Sequence, residues 1–301
     1  MKLDLEQIRK ASNLELLAKQ TVEGFITGLH QSPFHGFSVE FAEHRIYNPG
    51  ESTRHIDWKI YAKTEKLFTK RYEEETNLRC QVLIDISPSM FYPKNDMGKL
   101  TFSVYAAACI AQLLQKQKDA VGITTFSDEI VYQSPIKSTS SHLHIIINYL
   151  QSLFASNPSN VKTGVANALD TIAATMNRRA LIIIFSDMFE NMEDSEKLFS
   201  ALQHLKHNKH EVLLFHVHDS KTEINFDFED RPYEFVDIET NERVKLHPAQ
   251  IKEYYFQEIS KYFEELKLKC GQYKIDFIQA DIQQGVEQIL TSYLIKRNKM
   301  K

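Results

Sequence analysis

Cysteine is scarce in these 301 residues, with only Cys80, Cys109 and Cys270, and no two of them form a C-x-x-C pair. An odd, scattered set argues against a disulfide framework and a structural zinc site. Reduced thiols in a cytosolic protein are the simpler account. Glycine is also sparse, nine in all, which leaves little for a phosphate-cradling loop. There is no Gly-x-x-x-x-Gly-Lys-Ser/Thr run, so nucleotide hydrolysis by a P-loop is not expected of this chain. A Gly-x-Ser-x-Gly nucleophile elbow is likewise missing. No basic excess exists: 36 Lys and Arg stand against 40 Asp and Glu, a formal charge of -4. General nucleic-acid binding is therefore not expected. The longest apolar stretches, 104–114 (broken by Gln112) and 180–185, are far below the roughly 18 residues of a membrane span. The first ten residues mix charge with Leu and Ile and do not read as a signal peptide. A cytoplasmic chain with no direct membrane insertion is expected.

Hydrophobic residues make up 43% of the chain, enough for a packed core in one large or two modest domains. Two textures divide the chain. Residues 1–76 are rich in charge and aromatics, with turn signals at Gly24, Gly28, Pro33, Gly36 and Asn48-Pro49-Gly50. Here a helix is predicted over 4–17 and strands over 37–41 and 67–72, with Trp58 as a core anchor. Residues 77–301 are regular. Short apolar runs at 79–86, 120–126, 180–186 and 211–217 read as buried parallel strands. A shorter strand is read at 129–132 and another at 274–278. Helices are predicted over 99–117, 142–154, 164–177, 195–207, 248–270 and 281–296, with a hairpin over 233–246 that turns at Thr240-Asn241. Strands alternating with helices predict an α/β fold, a doubly wound, mostly parallel, Rossmann-like sheet covered on both faces. The 1–76 extension is expected to pack on the 77–301 domain.

The first strong strand runs out into Asp85-Ile86-Ser87-Pro88-Ser89. A carboxylate and two hydroxyls at alternate positions are hard oxygen donors, suited to Mg²⁺ or Mn²⁺ rather than zinc. The 180–186 strand ends in Ser186-Asp187. In doubly wound sheets, ligands bind beyond the carboxyl ends of strands where the winding reverses. Neighbouring strands at that reversal would bring Asp85 and Asp187 together. Thr163 can add a hydroxyl or simply cap the following helix. A plain strand-end turn, with Asp85 capping backbone amides, is the alternative for the whole motif. The histidines His204, His207 and His210 sit three apart, but they run from a helix among lysines and read as a solvated end rather than a zinc site.

The series Asp85-x-Ser87-x-Ser89, Thr163 and Asp187 resembles the metal-ion-dependent adhesion site of von Willebrand factor A domains. That resemblance implies Mg²⁺ (or Mn²⁺) held by Asp85, Ser87, Ser89, Thr163 and Asp187, with the two carboxylates acting partly through water. The open position would take an Asp or Glu carboxylate from a client protein. The N-terminal motifs add a second resemblance. Ser32-Pro33-Phe34-His35-Gly36, Glu40-Phe41-Ala42-Glu43-His44-Arg45, Tyr47-Asn48-Pro49-Gly50-Glu51 and Arg54-His55-Ile56-Asp57-Trp58-Lys59 are similar to those of a bacterial family of unknown function. Its members carry a von Willebrand factor A-like domain and are typically paired with MoxR-type AAA+ ATPases. Glu51 departs from the aspartate more usual there.

Read as chemistry alone, those motifs form either a charge-paired network or a docking surface. The resemblances imply a non-catalytic adaptor that works with a MoxR-type ATPase in assembly or maturation of other proteins. Two alternatives stay open. One is a metal-dependent hydrolase at the same site, against which stands the lack of an evident lysine, arginine or glycine loop to hold phosphate. The other is a structural protein with an empty site.

Overall fold

A computed structural model describes residues 5–10, 13–31, 44–46, 58–70, 78–93, 98–155, 165–176, 179–188, 195–237 and 242–300. Two compact units are present: Met1–Phe25 with Leu78–Lys301, and Ile26–Asn77. The larger begins with α1 (Leu5–Lys10) and α2 (Leu14–Gln31), whose residues up to Phe25 belong to it. The smaller holds β1 (His44–Ile46), α3 (Trp58–Thr64) and β2 (Phe68–Lys70), with β1 and β2 antiparallel.

The larger unit continues with β3 (Arg79–Asp85), α4 (Gly98–Lys116), β4 (Ala120–Phe126), β5 (Ile130–Gln133), α5 (Ser140–Ser152), α6 (Val165–Thr175) and β6 (Leu181–Ser186). It then runs through α7 (Ser195–His207), β7 (Glu211–His218), the hairpin β8 (Tyr233–Val236) and β9 (Arg243–Leu246), α8 (Pro248–Gln272), β10 (Asp276–Asp281) and α9 (Glu287–Met300). Six strands form one sheet in the order β10-β7-β6-β3-β4-β5. All pairings are parallel except β4 with β5. Counted within the sheet, this is the 3-2-1-4-5-6 winding, with its reversal between β3 and β6. The α/β, doubly wound, mostly parallel fold expected from the sequence is present.

Burial explains the strand runs. Every residue of β6 is buried, and so are all of β3 and β4 except their first. A strand covered on both faces has no solvent side, so its sequence loses alternation. α4 is buried from Gly98 to Ala111; its small residues Ala106, Ala107, Ala108 and Ala111 let it lie close on the sheet. On the other face Leu83, Ile182, Ile184, Val212 and Leu214 pack with α6 and α7. No helix among the described residues is long and apolar enough to cross a membrane.

Several expectations are corrected. The helix predicted over 4–17 is two helices, and the second runs on to Gln31 through Gly24 and Gly28. Both glycines lie in open space, so there they act as weak helix residues rather than turns. Trp58 is not a core anchor: it opens α3, is 61% exposed and meets Tyr61 edge-on. The last strand and helix lie later than predicted, at Asp276–Asp281 and Glu287–Met300. The strand predicted over 37–41 and the turn at Thr240-Asn241 fall outside the described residues.

Candidate functional site

β3 ends at Asp85 and β6 at Ser186, side by side at the winding reversal. After Asp85 the chain turns sharply into a 3-10 turn, Pro88–Phe91, with Pro88 fixing its first position. The Ser87 amide donates to Asp85 Oδ1 at 2.8 Å. The Ser186 hydroxyl donates to Asp85 Oδ2 at 2.5 Å and accepts from the Met188 amide at 2.9 Å. Asp85 therefore does cap a backbone amide, as the turn reading requires, while its other oxygen ties β3 to β6. Asp85 and Ser87 are fully buried, Asp187 nearly so, and Ser89 half-buried. Burial, then repulsion from Asp187, pushes the Asp85 carboxyl well above the usual carboxylate range, against the pull of its donors.

The Ser87 and Ser89 hydroxyls stand 3.1 Å apart. Two ligands at right angles on Mg²⁺, each at about 2.1 Å, lie about 3 Å from one another. The hydroxyl pair fits that donor set, and hard oxygens are the right chemistry for the ion. Both Asp85 oxygens are already taken by donors, so this carboxylate would act from behind the serines. Thr163 lies outside the described residues.

Two residues escaped sequence reasoning, and the first answers the apparent lack of a cation. Lys99, in the first turn of α4, places its ammonium 2.7 Å from Asp187 Oδ2 and 2.6 Å from Glu223 Oε1. It is 1% exposed. Burial works to deprotonate it, but Asp187 and Glu223 outweigh that and raise its pKa. Gly98 makes the placement possible. A Cβ there would lie 2.1 Å from Pro93 Cδ and 2.7 Å from the Tyr92 carbonyl oxygen. The helix start can thus close onto Tyr92, whose carbonyl accepts from the Lys99 amide at 3.0 Å. Glu223 comes from a π-helical turn, Ser220–Ile224, just after β7. Its Oε2 accepts from the Asp219 amide at 2.7 Å, and its carbonyl from Tyr255 Oη at 2.7 Å. Neither Lys99 nor Glu223 carries a local motif, which is why spacing could not find them.

The crevice therefore collects Asp85, Ser87, Ser89, Asp187, Lys99 and Glu223. Two carboxylates, Asp187 and Glu223, meet the Lys99 ammonium, and Asp85 adds a third carboxyl beside Asp187. His216 is fully buried nearby. Burial and then His218 push its pKa down to about 3, although Asp187 favours the cation; a neutral ring adds no charge. An open cavity of about 400 Å³ lies elsewhere, against Arg79 and Gln81 at the amino-terminal end of β3, and contains none of this cluster. His204 pairs with Asp170 at 2.9 Å, and no group of three His, Cys, Asp or Glu suited to a metal occurs among the described residues. A site built on hydroxyls would not form such a group.

The family model described as a protein of unknown function, DUF58, matches residues 43–262. The chain belongs to this DUF58 family. Relatives of this DUF58 chain include an uncharacterised protein of Mycobacterium bovis and one of Mycobacterium tuberculosis. Each is 25% identical over 208 residues, 69% of this chain. The match spans 64% of the length of those curated relatives. Among solved structures, the conserved hypothetical protein BatB from Bacteroides thetaiotaomicron is similar at 16% identity and a TM-score of 0.43, over 74% of this chain and 99% of that one. An aerotolerance-related membrane protein from Bacteroides fragilis gives 16% and 0.47 over the same shares.

Proposed function

We propose that this chain is a metal-dependent protein-interaction module rather than an enzyme. Ser87 and Ser89 hold Mg²⁺ (or Mn²⁺), with Asp85 and Asp187 behind them supplying negative charge. The observation that carries this reading is the 3.1 Å separation of the two hydroxyls, set beside the buried carboxyls of Asp85 and Asp187. The bound ion would supply an electrophilic position that accepts a client protein's Asp or Glu carboxylate. Thr163 is the further hydroxyl of the proposed set. In this reading the energy comes from a MoxR-type AAA+ ATPase, and the chain contributes recognition in assembly or maturation of other proteins.

The hydrolase alternative is less well supported. Lys99 is the cation a phosphate would need, and it is paired with Asp187 and Glu223 of the cluster. Calorimetric titration of Mg²⁺ and Mn²⁺ into the protein, beside Asp85→Ala and Asp187→Ala, tests the site. Binding by the parent and loss in both variants is expected. A pull-down of the ATPase that weakens when chelator is added tests the partner. Binding that survives in both variants would place the metal elsewhere and end this reading.

A further inference from the structure

We infer that the Lys99 ammonium is the resident cation of this crevice and competes with a divalent ion for Asp187. The inference takes the location of the site from the reading above and adds a residue to it. Three observations carry it. First, Lys99 and Asp187 are 1% and 2% exposed at their side chains, and they meet at 2.7 Å. Water therefore screens the pair little, and any second cation approaching Asp187 feels a fixed positive charge at close range. Second, the lysine is held in place. Its amide donates to the Tyr92 carbonyl, its own carbonyl accepts from Ser103 Oγ at 2.8 Å, and Gly98 lets the helix start seat against Pro93. Third, Glu223 gives the ammonium a second seat at 2.6 Å. Lys99 can release Asp187 to an incoming ion and stay paired with Glu223, so exchange leaves no bare charge in the interior.

The arrangement sets the affinity of the site. An ammonium already neutralising Asp187 makes a divalent ion bind more weakly than the oxygen donors alone would allow. Glu223 relieves part of that competition. Its turn, Ser220–Ile224, has no buried residue, whereas Lys99 and Asp187 lie beneath, so Glu223 is the outermost carboxylate of the cluster among the described residues.

Calorimetric titration of Mg²⁺ and Mn²⁺ into the full chain and into Lys99→Met, Lys99→Arg and Glu223→Gln tests this, with the metal-induced rise in melting temperature as a second readout. Lys99→Met is expected to tighten binding by about tenfold or more, because the competing charge is gone. Lys99→Arg keeps the charge and is expected within about threefold of the parent. Glu223→Gln is expected to weaken binding by about threefold or more, since Lys99 then loses the carboxylate that draws it away from Asp187. Should Lys99→Met fail to fold, Lys99→Met/Glu223→Gln removes one charge of each sign and is compared with Glu223→Gln instead. A silent parent with a binding Lys99→Met would keep this inference and end the metal-dependent reading of the parent. Equal affinity in parent and Lys99→Met would overturn the inference and leave that reading standing. Silence in every variant would end both.

Discussion

The Ser186 hydroxyl lies 2.5 Å from Asp85 Oδ2 and so ties the carboxyl end of β6 to that of β3. Ser186 Oγ also accepts from the Met188 amide at 2.9 Å, which fixes the path of the chain past Asp187. Ser186→Ala removes a donor from a fully buried carboxylate and an acceptor from a buried amide. A loss of about 1–3 kcal/mol in unfolding free energy is expected, measured by urea denaturation. A variant as stable as the parent would mean that the two strand ends are held by other contacts.

Gly98 and Pro93 give a second, steric prediction. A methyl group at Gly98 would sit 2.1 Å from Pro93 Cδ and 2.7 Å from both Pro93 N and the Tyr92 carbonyl oxygen. Two of these three atoms are backbone, so relief requires the start of α4 to move. Gly98→Ala is expected to cost about 1–3 kcal/mol. By contrast, Gly28→Ala meets nothing within 4 Å and is expected to stabilise α2 by up to about 1 kcal/mol. Thermal denaturation of the two variants should therefore move in opposite directions.

These residues also separate what the sequence could reveal from what it could not. β3, β4, β6 and β7 were legible because burial on both faces leaves uninterrupted apolar runs. The pair Asp85 and Asp187 was legible because each follows such a run, and the winding rule brings the two strand ends together. Lys99 and Glu223 were not legible, because a lysine opening a helix and a glutamate in a polar loop have ordinary surface explanations. Only the fold brings them together, 124 residues apart in sequence. Trp58 misled for a related reason: a large aromatic is usually core, yet here the ring lies on the exposed side of a short helix. The ends of β10 and α9 were misplaced because that segment mixes polar residues into a partly exposed edge strand.

Leu14 and Trp58 make a paired test of these assignments. Leu14 is fully buried, and its segment joins the larger unit, where the Thr21 hydroxyl hydrogen-bonds Tyr105 of α4. Leu14→Ala is expected to cost about 2–4 kcal/mol in the unfolding of the sheet-bearing unit. Trp58→Ala, at a position 61% exposed, is expected to change stability by no more than about 0.5 kcal/mol. Circular dichroism melts would report both, and a large loss in the tryptophan variant would restore it as a core residue.

Glu211 links α7, β7 and α9 and gives the chain an acid-sensitive joint. Its Oε2 accepts from Lys206 at 2.8 Å and from Lys296 at 2.9 Å, and Lys296 also reaches Asp276 at 2.7 Å. Burial alone would raise the Glu211 pKa, but the two lysines outweigh it and bring it down to about 2. An unfolded glutamate titrates near 4.3, roughly. The folded value is the lower one, so the stabilisation is fully present above the unfolded pKa and fades as pH falls toward the folded pKa. With Glu211 part-exposed, solvent screening limits the effect to about 1–2 kcal/mol near neutral pH. Glu211→Gln should therefore be less stable than the parent at pH 6, and the two should converge as the pH drops from about 5 to about 2. Denaturant unfolding at a series of pH values reads the gap directly. A gap that stays constant across that window would show that Glu211 contributes through packing and not through its charge.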